Sequence, residues 1–478
     1  MNREIRNFIK DYAKEIENQS AALFIGAGFS QSSGYVNWKG LLKDIAEELE
    51  LDINRENDLV SLAQYYCNQN TRTKINQLIK DNFSEVKVPT ENHKIIARFP
   101  IFTYWTTNYD SLIEESLKEN YRVVDVKRKN SDLSLTHPNR DAIVYKMHGD
   151  NSIPEEAVIL KEDYEMYYKK YSPFVNALNG DLISKTFLFL GFSFSDPNIN
   201  YIFSKIKIEY NKDNIRQHYA IMKKMRKEDF PELSIEDFEY SKRKFSLFIE
   251  DLKRYRIKVL LIDEYNEITK ILKTIEKKLF SKNVFISGSA CTYQPFEEKV
   301  VKNFIRLLSK KLIKEGYNII SGFGLGIGSE VIVGALEEIY MNNRKINNKR
   351  LLLRPFPQGI IDDKTRKELW SKYRKDMISQ SGVSIFLFGN KKEKDKVILA
   401  NGMQEEYEIS KENKNILIPI GATGYVAEEI YNLLNKDGLE YYGDKKSEIE
   451  NLFKTLNNRN LDETLIENIL QIINKLNN

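Results

Sequence analysis

The sequence predicts an α/β protein built from parallel sheets. Apolar runs of strand length alternate with segments of helical period through most of the 478 residues, which is typical of helices packed on parallel strands. Hydrophobic residues make up 41% of the chain and aromatic residues 12%, enough for sizeable cores and too many for global disorder. At about 100–200 residues per domain, the chain should hold two or three domains.

The N-terminal part carries six candidate strands with candidate helices between them. Residues 223–256 are dense in both acidic and basic side chains, which favours a solvent-exposed helical region over a nucleic-acid-binding arm. Residues 264–282 have helical period and end the first predicted domain. The predicted strands are Ala21–Ile25, Ile101–Trp105, Ala142–Met147, Thr186–Leu190, His218–Met222 and Val259–Ile262, and the predicted helices include Trp38–Glu50, Asp110–Leu117, Pro173–Ile183 and Pro197–Glu209.

A second α/β series begins after residue 282, so the predicted domains are residues 1–282 and 283–478. Strands and helices alternate again, which predicts a second parallel sheet. The predicted strands are Val284–Ser287, Tyr317–Ile320, Arg350–Leu353, Val383–Phe388 and Ile416–Ile418, and the predicted helices are Pro295–Lys314, Gly328–Met341, Asp363–Gln380 and Met403–Lys411.

Charge and cysteine content exclude several classes of protein. The net charge is only +4, which argues against a protein that neutralises many phosphates along a nucleic acid. The whole excess lies after residue 281, which suggests an anionic ligand there. Cys67 and Cys291 cannot make a four-cysteine zinc site or a disulfide framework. The N-terminal residues lack the apolar core of a signal peptide, and no apolar run of about 18 residues could span a bilayer, so we expect a cytoplasmic protein with neither membrane nor nucleic-acid partners.

Four polar motifs follow predicted strands of the first domain. The first is Gly26-Ala27-Gly28-Phe29-Ser30, whose glycines would let backbone N–H groups approach a phosphate. Alone, this turn equally fits a tight connection without a ligand. Open parallel sheets bind ligands at the carboxyl ends of their strands, where the other three motifs also fall. These are Trp105-Thr-Thr-Asn108-Tyr-Asp110, Val144-Tyr-Lys-Met-His148-Gly-Asp150 and Phe189-Leu-Gly191-Phe-Ser193-Phe-Ser195-Asp196-Pro-Asn198.

In this order the four motifs resemble the sirtuin-like NAD-binding domain over roughly the first 280 residues, and the Ser-Asp-Pro-Asn ending resembles bacterial sirtuin-like proteins of phage defence. The resemblance implies a Rossmann-type sheet with helical insertions and NAD as the substrate. It makes Asn108 the residue that positions ribose and water, and His148 the general base, with Asp110 orienting the loop or the nicotinamide pocket. The NAD-binding residues that it implies are Gly26, Ala27, Gly28, Phe29, Ser30, Asn108, His148, Gly191, Ser193 and Asp196.

The residue types suit cleavage of the bond between nicotinamide and ribose. The reaction passes through an oxocarbenium-like state, which needs a polar group on the ribose and a base that acts on a hydroxyl or on water. A histidine with a pKa near 6.5 suits that duty at neutral pH. Purely structural roles stay open for both residues. His148 would then be a core histidine that hydrogen-bonds to the backbone, and Asn108 would form an Asx turn after its strand. The glycine after His148 and the different settings of the other three histidines favour catalysis.

Two departures separate the chain from sirtuin protein deacylases. Those enzymes carry a zinc module of four cysteines in paired spacing, whereas Cys67 and Cys291 form no pair. The stretch Phe29–Trp38 also lacks their Pro-Asp-Phe-Arg sequence. Both departures favour water as the acceptor, so the predicted reaction is hydrolysis of NAD+ to ADP-ribose and nicotinamide, without a metal.

Two glycine-rich turns follow neighbouring predicted strands of the second domain. Ser287-Gly288-Ser289 and Gly322-Phe-Gly324-Leu325-Gly326 suggest a nucleotide-like ligand over adjacent strand ends. The arrangement resembles the Rossmann-like SLOG family. In enzymes of that family a Pro-Gly-Gly-Gly-Thr-X-X-Glu turn carries catalysis, but the matching region, 399–406, has only Gly402. That departure favours ligand binding over hydrolysis at this site.

A sirtuin-like domain followed by a SLOG domain resembles the NAD-depleting effectors of Thoeris antiphage defence. The resemblance implies that the SLOG domain binds a cyclic ADP-ribose isomer made by a TIR-domain partner, that binding activates NAD+ hydrolysis, and that the protein is a homotetramer or larger. Arg374 and Lys391 would meet the diphosphate and Glu406 the ribose hydroxyls, with Arg354 and Arg366 as competing candidates. A solvent-exposed helix face is the plain alternative for each basic residue. The backbone contacts would come from Gly288, Ser289, Gly324, Leu325 and Gly402.

Two other functions stay open on the sequence alone. A non-catalytic scaffold or sensor would bind NAD+ without releasing nicotinamide. A protein deacylase or ADP-ribosyltransferase would release nicotinamide only with an acceptor peptide, and the missing cysteine pairs count against it.

Overall fold

The computed structural model describes residues 1–56, 58–85, 87–194, 196–209, 216–341, 350–357 and 362–477. These residues form two compact units, Met1–Glu276 and Lys277–Asn478. The division falls inside the helix Asn266–Phe280, a few residues before the predicted boundary at residue 282.

The N-terminal unit is built on a seven-stranded parallel sheet with the order β3-β4-β2-β1-β5-β6-β7. The chain changes direction across the sheet at its central strand, whose last residue, Ile25, pairs with Thr106 on one side and Leu190 on the other. Ligands of open parallel sheets bind at such a switch point. The strands are β1 (Ala21–Ile25), β2 (Thr103–Thr106), β3 (Val124–Lys127), β4 (Ala142–Lys146), β5 (Thr186–Leu190), β6 (His218–Lys223) and β7 (Ile257–Ile262).

Helices and short helical turns connect these strands, and most of them bury an apolar face. A separate apolar cluster joins the helices between Trp38 and Phe83 to Tyr109, Ile159 and Leu160, so this helical insertion has its own small core beside the sheet. The helices are α1 (Arg3–Glu17), α2 (Ala27–Ser30), α3 (Trp38–Leu41), α4 (Lys43–Glu48), α5 (Leu59–Gln69), α6 (Arg72–Phe83), α7 (Glu91–Arg98), α8 (Leu112–Glu119), α9 (Asn130–Leu133), α10 (Lys161–Glu165), α11 (Tyr167–Lys170), α12 (Ser172–Ser184), α13 (Pro197–Glu209), α14 (Ile235–Leu252) and α15 (Asn266–Phe280).

The structure corrects three predicted features of this unit. The single helix predicted over Trp38–Glu50 is two short helices, α3 and α4, with Leu42 between them. The helix predicted from Asp110 begins at Leu112, because the Asp110 carboxylate accepts the Leu112 N–H at 3.0 Å in a turn. Strand β3 was missed because it is a short edge strand with the mixed sequence Val-Asp-Val-Lys.

The C-terminal unit has a five-stranded parallel sheet with the order β10-β9-β8-β11-β14, and an antiparallel hairpin, β12-β13. The predicted helix Pro295–Lys314 begins only at Glu298, and the hairpin was not predicted. The strands are β8 (Asn283–Ser289), β9 (Asn318–Ser321), β10 (Leu351–Leu353), β11 (Val383–Phe388), β12 (Asn390–Glu393), β13 (Lys396–Leu399) and β14 (Ile416–Pro419), and the helices are α16 (Glu298–Lys314), α17 (Gly328–Met341), α18 (Asp363–Ser379), α19 (Asn401–Glu412), α20 (Tyr425–Lys436), α21 (Lys446–Thr455) and α22 (Glu463–Asn477).

Candidate functional site

The glycines at the ends of β1 and β5 pack directly against each other. Gly28 donates its N–H to the carbonyl oxygen of Gly191 at 3.0 Å, and Gly26 donates to that of Leu190 at 2.9 Å. A Cβ atom on Gly26 or Gly191 would overlap backbone atoms of the other loop, and Gly191 has a φ of +63°. The absence of side chains is therefore required by the close approach of the two loops.

Asn108 lies beside this turn, two residues beyond the end of β2. Its N–H donates to Thr106 Oγ1 at 2.9 Å and its Nδ2 donates to Ser30 Oγ at 3.1 Å. The side chain is buried, and its Oδ1 has no hydrogen-bond partner among the described residues. A buried acceptor without a partner costs about 1–3 kcal/mol, so this oxygen is available to a ligand hydroxyl.

Asp110 is buried close to the same side chains. Burial raises the pKa of its carboxyl, although Lys146, the Leu112 N–H and the side chains of Ser30 and Asn108 oppose that rise. Ser30, Asn108 and Asp110 therefore form one polar group at the switch point of the sheet.

A small cavity borders this polar group. Its volume is about 30 Å³, whereas pockets that bind drug-sized ligands have about 300–1,000 Å³. Tyr35, Val36, Asn37 and Trp38 form one wall, and a cavity of this volume does not hold a dinucleotide. The cavity is lined by Ala27, Ser30, Tyr35, Val36, Asn37, Trp38, Leu41, Phe83, Thr107, Asn108, Tyr109 and Asp110.

His148 lies two residues beyond the end of β4 and is 2% exposed. Its Nε2 is 3.1 Å from Asp196 Oδ2, but without the alignment of a hydrogen bond. Burial lowers the pKa of His148, although the carboxylates of Asp196 and Asp163 oppose that change. A neutral imidazole at neutral pH can accept a proton, which is the state that a general base requires.

The register of the sheet brings Asn108 and His148 together. Thr106 pairs with Lys146, so the two candidate residues lie at equivalent positions beyond neighbouring parallel strands, whose spacing is about 4.8 Å. Both present a buried polar atom without a hydrogen-bond partner among the described residues, Oδ1 of Asn108 and Nε2 of His148. Buried polar groups are rarely left unpaired, so these two atoms on adjacent strand ends make this edge of the sheet a candidate binding site.

The remaining predicted NAD contacts take different positions. Asp196 also accepts the Ile199 N–H at 3.0 Å and so begins α13, which gives it a structural role. Ser193 is exposed and Phe29 is buried, with its ring 4.6 Å from the ring of His93. Ser195 of the same motif lies outside the described residues.

In the C-terminal unit the two predicted phosphate turns lie against each other. Ala290 N–H donates to the Leu325 carbonyl oxygen at 2.8 Å, and a Cβ on Gly324 would overlap the Gly288 carbonyl oxygen. Ser289 Oγ donates to the Asn390 carbonyl oxygen at 3.2 Å. Since β8 lies between β9 and β11, these turns meet at the switch point of the second sheet.

Arg374 and Glu406 form a buried ion pair that is connected to β8. Arg374 Nε is 3.3 Å from Glu406 Oε1, and Ser287 Oγ donates to Glu406 Oε2 at 2.6 Å. Arg374 Nη1 also lies 2.7 Å from Glu405 Oε2, and the Gly402 backbone abuts the guanidinium. Burial raises the pKa of the Glu406 carboxyl, with Arg374 opposing the rise.

The other basic candidates lie apart from this pair. Lys391 is on β12 of the hairpin, opposite Ile398. Arg354 Nη1 is 3.4 Å from Asp376 Oδ2, and Arg366 pairs with Asp363 one helical turn away. Only Arg374 among the predicted cations is buried.

Several residues of both sites were not predicted from the sequence. Phe356 and Trp370 place their rings 4.9 and 5.9 Å from the Arg374 guanidinium, a cation–π arrangement. The rings of Tyr164 and Tyr167 lie at steep angles to the His148 ring, with centroids 5.6 and 6.1 Å from it. Trp370 and Arg374 are four residues apart on α18, so helical spacing could have indicated their contact. The contacts of Phe356 with Arg374 and of both tyrosines with His148 join segments that are brought together only by folding.

None of the described helices combines the length and apolar composition needed to cross a bilayer. The described residues also contain no group of three or more His, Cys, Asp or Glu side chains able to hold a metal ion.

Comparison with known proteins agrees with this two-part architecture. A SIR2-like domain family matches residues 103–245, and STALD, the Sir2- and TIR-associating SLOG family, matches residues 267–476. The chain is 52% identical to the NAD(+) hydrolase ThsA of Bacillus cereus (strain MSX-D12) over 481 residues, covering 100% of both chains. It is 46% identical to that of Acinetobacter baumannii (strain 532279), over 95% of each chain. It is 45% identical to that of Cytobacillus dafuensis, over 91% of this chain and 89% of the relative. With its parallel sheets and these full-length matches, the chain belongs to the ThsA family, in which a SIR2-like domain precedes a Sir2- and TIR-associating SLOG domain.

Proposed function

We propose that this protein hydrolyses NAD+ to ADP-ribose and nicotinamide as a ThsA effector of Thoeris antiphage defence. The family relatives carry the name NAD(+) hydrolase. The observation that carries the proposal is that a buried amide oxygen without a hydrogen-bond partner among the described residues, Asn108 Oδ1, and a buried imidazole, His148, lie just beyond neighbouring strand ends. A neutral imidazole and an amide acceptor are the groups that this reaction requires.

In the proposed reaction NAD+ is the substrate and no metal takes part. Asn108 Oδ1 accepts a hydrogen bond from a ribose hydroxyl, while its Nδ2 stays bonded to Ser30 Oγ. His148 Nε2 takes the proton from the attacking water or from a ribose hydroxyl as the bond to nicotinamide breaks. The Asp196 carboxylate, 3.1 Å from Nε2, stabilises the imidazolium that forms.

The test of this activity measures nicotinamide release by the purified protein with NAD+ alone and with a panel of cyclic ADP-ribose isomers. Loss of the general base should lower turnover by about 10²–10⁴-fold in His148→Ala, and Asn108→Ala should lower it about 10²-fold by misplacing the ribose. His137→Ala, at an exposed histidine, is the control. Nicotinamide release that depends on an acceptor peptide would instead identify a transferase, and binding without release a sensor.

We further propose that the C-terminal unit binds a cyclic ADP-ribose isomer and thereby activates the N-terminal unit. The cavity beside Asn108 has only about 30 Å³, and we propose that its wall Tyr35–Trp38 moves to admit NAD+. A signal can drive that movement only if it binds the open arrangement more tightly than the closed one. The family description, Sir2- and TIR-associating, supports a TIR-domain protein as the source of the signal. We propose in addition a cytoplasmic homotetramer or larger assembly.

Arg374 is the residue proposed to bind the signal's diphosphate. Hydrogen bonds to charged groups contribute about 1.5–3 kcal/mol, so Arg374→Ala should raise the half-activating concentration of the isomer at least tenfold. Arg366→Ala is the matched control, because the Arg366 guanidinium pairs with Asp363 on the same helix. This variant should keep the half-activating concentration of the natural sequence. An equal rise of the half-activating concentration in both variants, or no rise in Arg374→Ala, contradicts this assignment.

A further inference from the structure

One buried ammonium group links the loop after β2 to the loop after β4. Lys146 is the last residue of β4, and its side chain is completely buried. Its Nζ lies 2.6 Å from Asp150 Oδ2 and 3.1 Å from Glu114 Oε1. The same Nζ donates to the carbonyl oxygen of Asp110 and lies 3.4 Å from that of Tyr109.

These contacts lie next to both candidate catalytic residues along the chain. Asn108 directly precedes the two carbonyl groups that bind the ammonium, and His148 lies midway between Lys146 and Asp150 along the chain. We propose that Lys146 is a positioning residue: its ammonium fixes the spacing between Asn108 and His148. The expected loss of turnover rests on the proposed NAD+ hydrolysis, whereas the expected loosening of the two loops does not depend on it.

A charged lysine suits this position better than another residue. An ammonium has three donors on a compact centre, and it can reach acceptors in several directions where a planar guanidinium cannot. Burial works against the charge, but the carboxylates of Glu114, Asp150 and Asp110 together raise the pKa of Lys146. The group therefore stays ionised at neutral pH and holds both loops by charge-assisted contacts.

Another strand of the same sheet offers a matched comparison. Lys127, the last residue of β3, is 3% exposed, and its Nζ lies 2.8 Å from Asp125 Oδ1. It donates to the carbonyl oxygen of Asp132 at 2.8 Å. These contacts lie within β3 and α9, so Lys127 is nearly as buried as Lys146 without joining the two loops.

The experiment uses the full-length double variant Lys146→Met/Glu114→Leu, which removes both charges and leaves no lone Glu114 carboxylate. Asp150 keeps Arg128, whose Nε is 3.5 Å from its Oδ1. The control is Lys127→Met, in which Asp125 keeps Arg140 at 2.6 Å. Amide hydrogen exchange followed by mass spectrometry reports on segments 107–112 and 147–152, and nicotinamide release reports kcat and KM.

We expect amide exchange in both segments to rise at least tenfold in the double variant and to stay unchanged in the control. A displacement of about 1 Å costs about 10²-fold in rate, so kcat should fall by about that factor while KM changes less than threefold. Unchanged exchange in both segments overturns the inference, whether or not turnover is detected. Absence of turnover in the natural sequence is a failure of the proposed function instead.

If the double variant does not fold, Lys146→Arg keeps the positive charge and changes only its geometry. It should melt within a few degrees of the natural sequence, yet exchange faster in the same two segments and show about tenfold lower kcat. If Lys146→Arg has the same amide exchange in both segments and the same kcat as the natural sequence, the inference is overturned as well.

Discussion

His148 combines burial with a nearby carboxylate, and this combination decides how its proposed reaction should depend on pH. Burial lowers the pKa of the imidazole below 6.5, and Asp196 only partly offsets that change. The neutral, base-competent form therefore persists below the pH at which an exposed histidine becomes charged.

The acid limb of kcat/KM should consequently have an apparent pKa below 6.5. The measurement is nicotinamide release between pH 4.5 and 8, at the isomer concentration that saturates activation at each pH. Burial raises the pKa of the Asp110 carboxyl, so titration of Asp110 is the alternative source of an acid limb. Asp110→Asn is therefore the control, because a limb caused by His148 persists in this variant. An apparent pKa above 7 in both proteins would contradict the assignment of His148 as a buried base.

At the scale of elements, the turn after β1 and the turn after β5 depend on each other. Gly191 has a φ of +63°, and a Cβ there would overlap the backbone of Gly28 and Phe29. For Gly34, with a φ of +93°, a Cβ would meet no atom within 4 Å among the described residues other than its chain neighbours. The two glycines share a left-handed backbone but differ in what surrounds them.

We expect Gly34→Ala to lower the unfolding free energy of the N-terminal unit by about 1–2 kcal/mol, the cost of a left-handed conformation with a side chain. Gly191→Ala should cost more and should also lower turnover at least tenfold, since it displaces the turn that carries Ser30. Denaturant titration and nicotinamide release measure the two effects. Equal destabilisation in both variants, with natural turnover, would show that the loop contact does not matter.

Elements with one strong local signal were predicted well from the sequence. Strands β1, β5 and β11 have the predicted bounds because each is a short, fully buried apolar run. Strand β3, which alternates at the sheet edge, and the two short helices within Trp38–Glu50 were not predicted correctly. Their form depends on packing against distant segments, which local periodicity does not carry.

The residues of the candidate site likewise divide into those predicted from a local motif and those that depend on folding. Asn108 and His148 were predicted because polar motifs after apolar strands are visible in the sequence, and the structure places both just beyond the ends of neighbouring strands. The contacts of Lys146 with Glu114 and Asp150 were not predicted, nor was the wall Tyr35–Trp38. Those arrangements depend on which loops meet after the sheet forms.

For the whole molecule, buried histidines should link stability to pH. Burial lowers the pKa of His93 to about 4 and that of His218 to about 3, against 6.5 in the unfolded chain. Between pH 6.5 and the lower pKa values of the folded chain, the unfolded chain binds protons that the folded chain does not. The stability that these two neutral histidines contribute is therefore complete above pH 6.5 and is lost as the pH falls.

The unfolding free energy of the N-terminal unit should therefore decrease from pH 7 to pH 5, by at most about 1.4 kcal/mol per pH unit for each of these histidines. Urea titrations at pH 7, 6 and 5 measure the slope, which His218→Gln should reduce. Exposed His137→Gln is the control and should leave the slope unchanged. A stability that stays constant down to pH 5 would contradict the buried neutral state.

The central position of β1 also has a consequence during synthesis of the chain. This strand begins at residue 21, yet its partner on one side, β5, ends only at residue 190. At about 5–20 residues per second, a ribosome needs roughly ten seconds or more to make the intervening chain. Until β5 has emerged, the turn Gly26–Ser30 lacks the backbone of Gly191 against which it packs. A nascent chain therefore cannot form the contact between these two turns before Gly191 has left the ribosome, although β1 is among the first segments to be made.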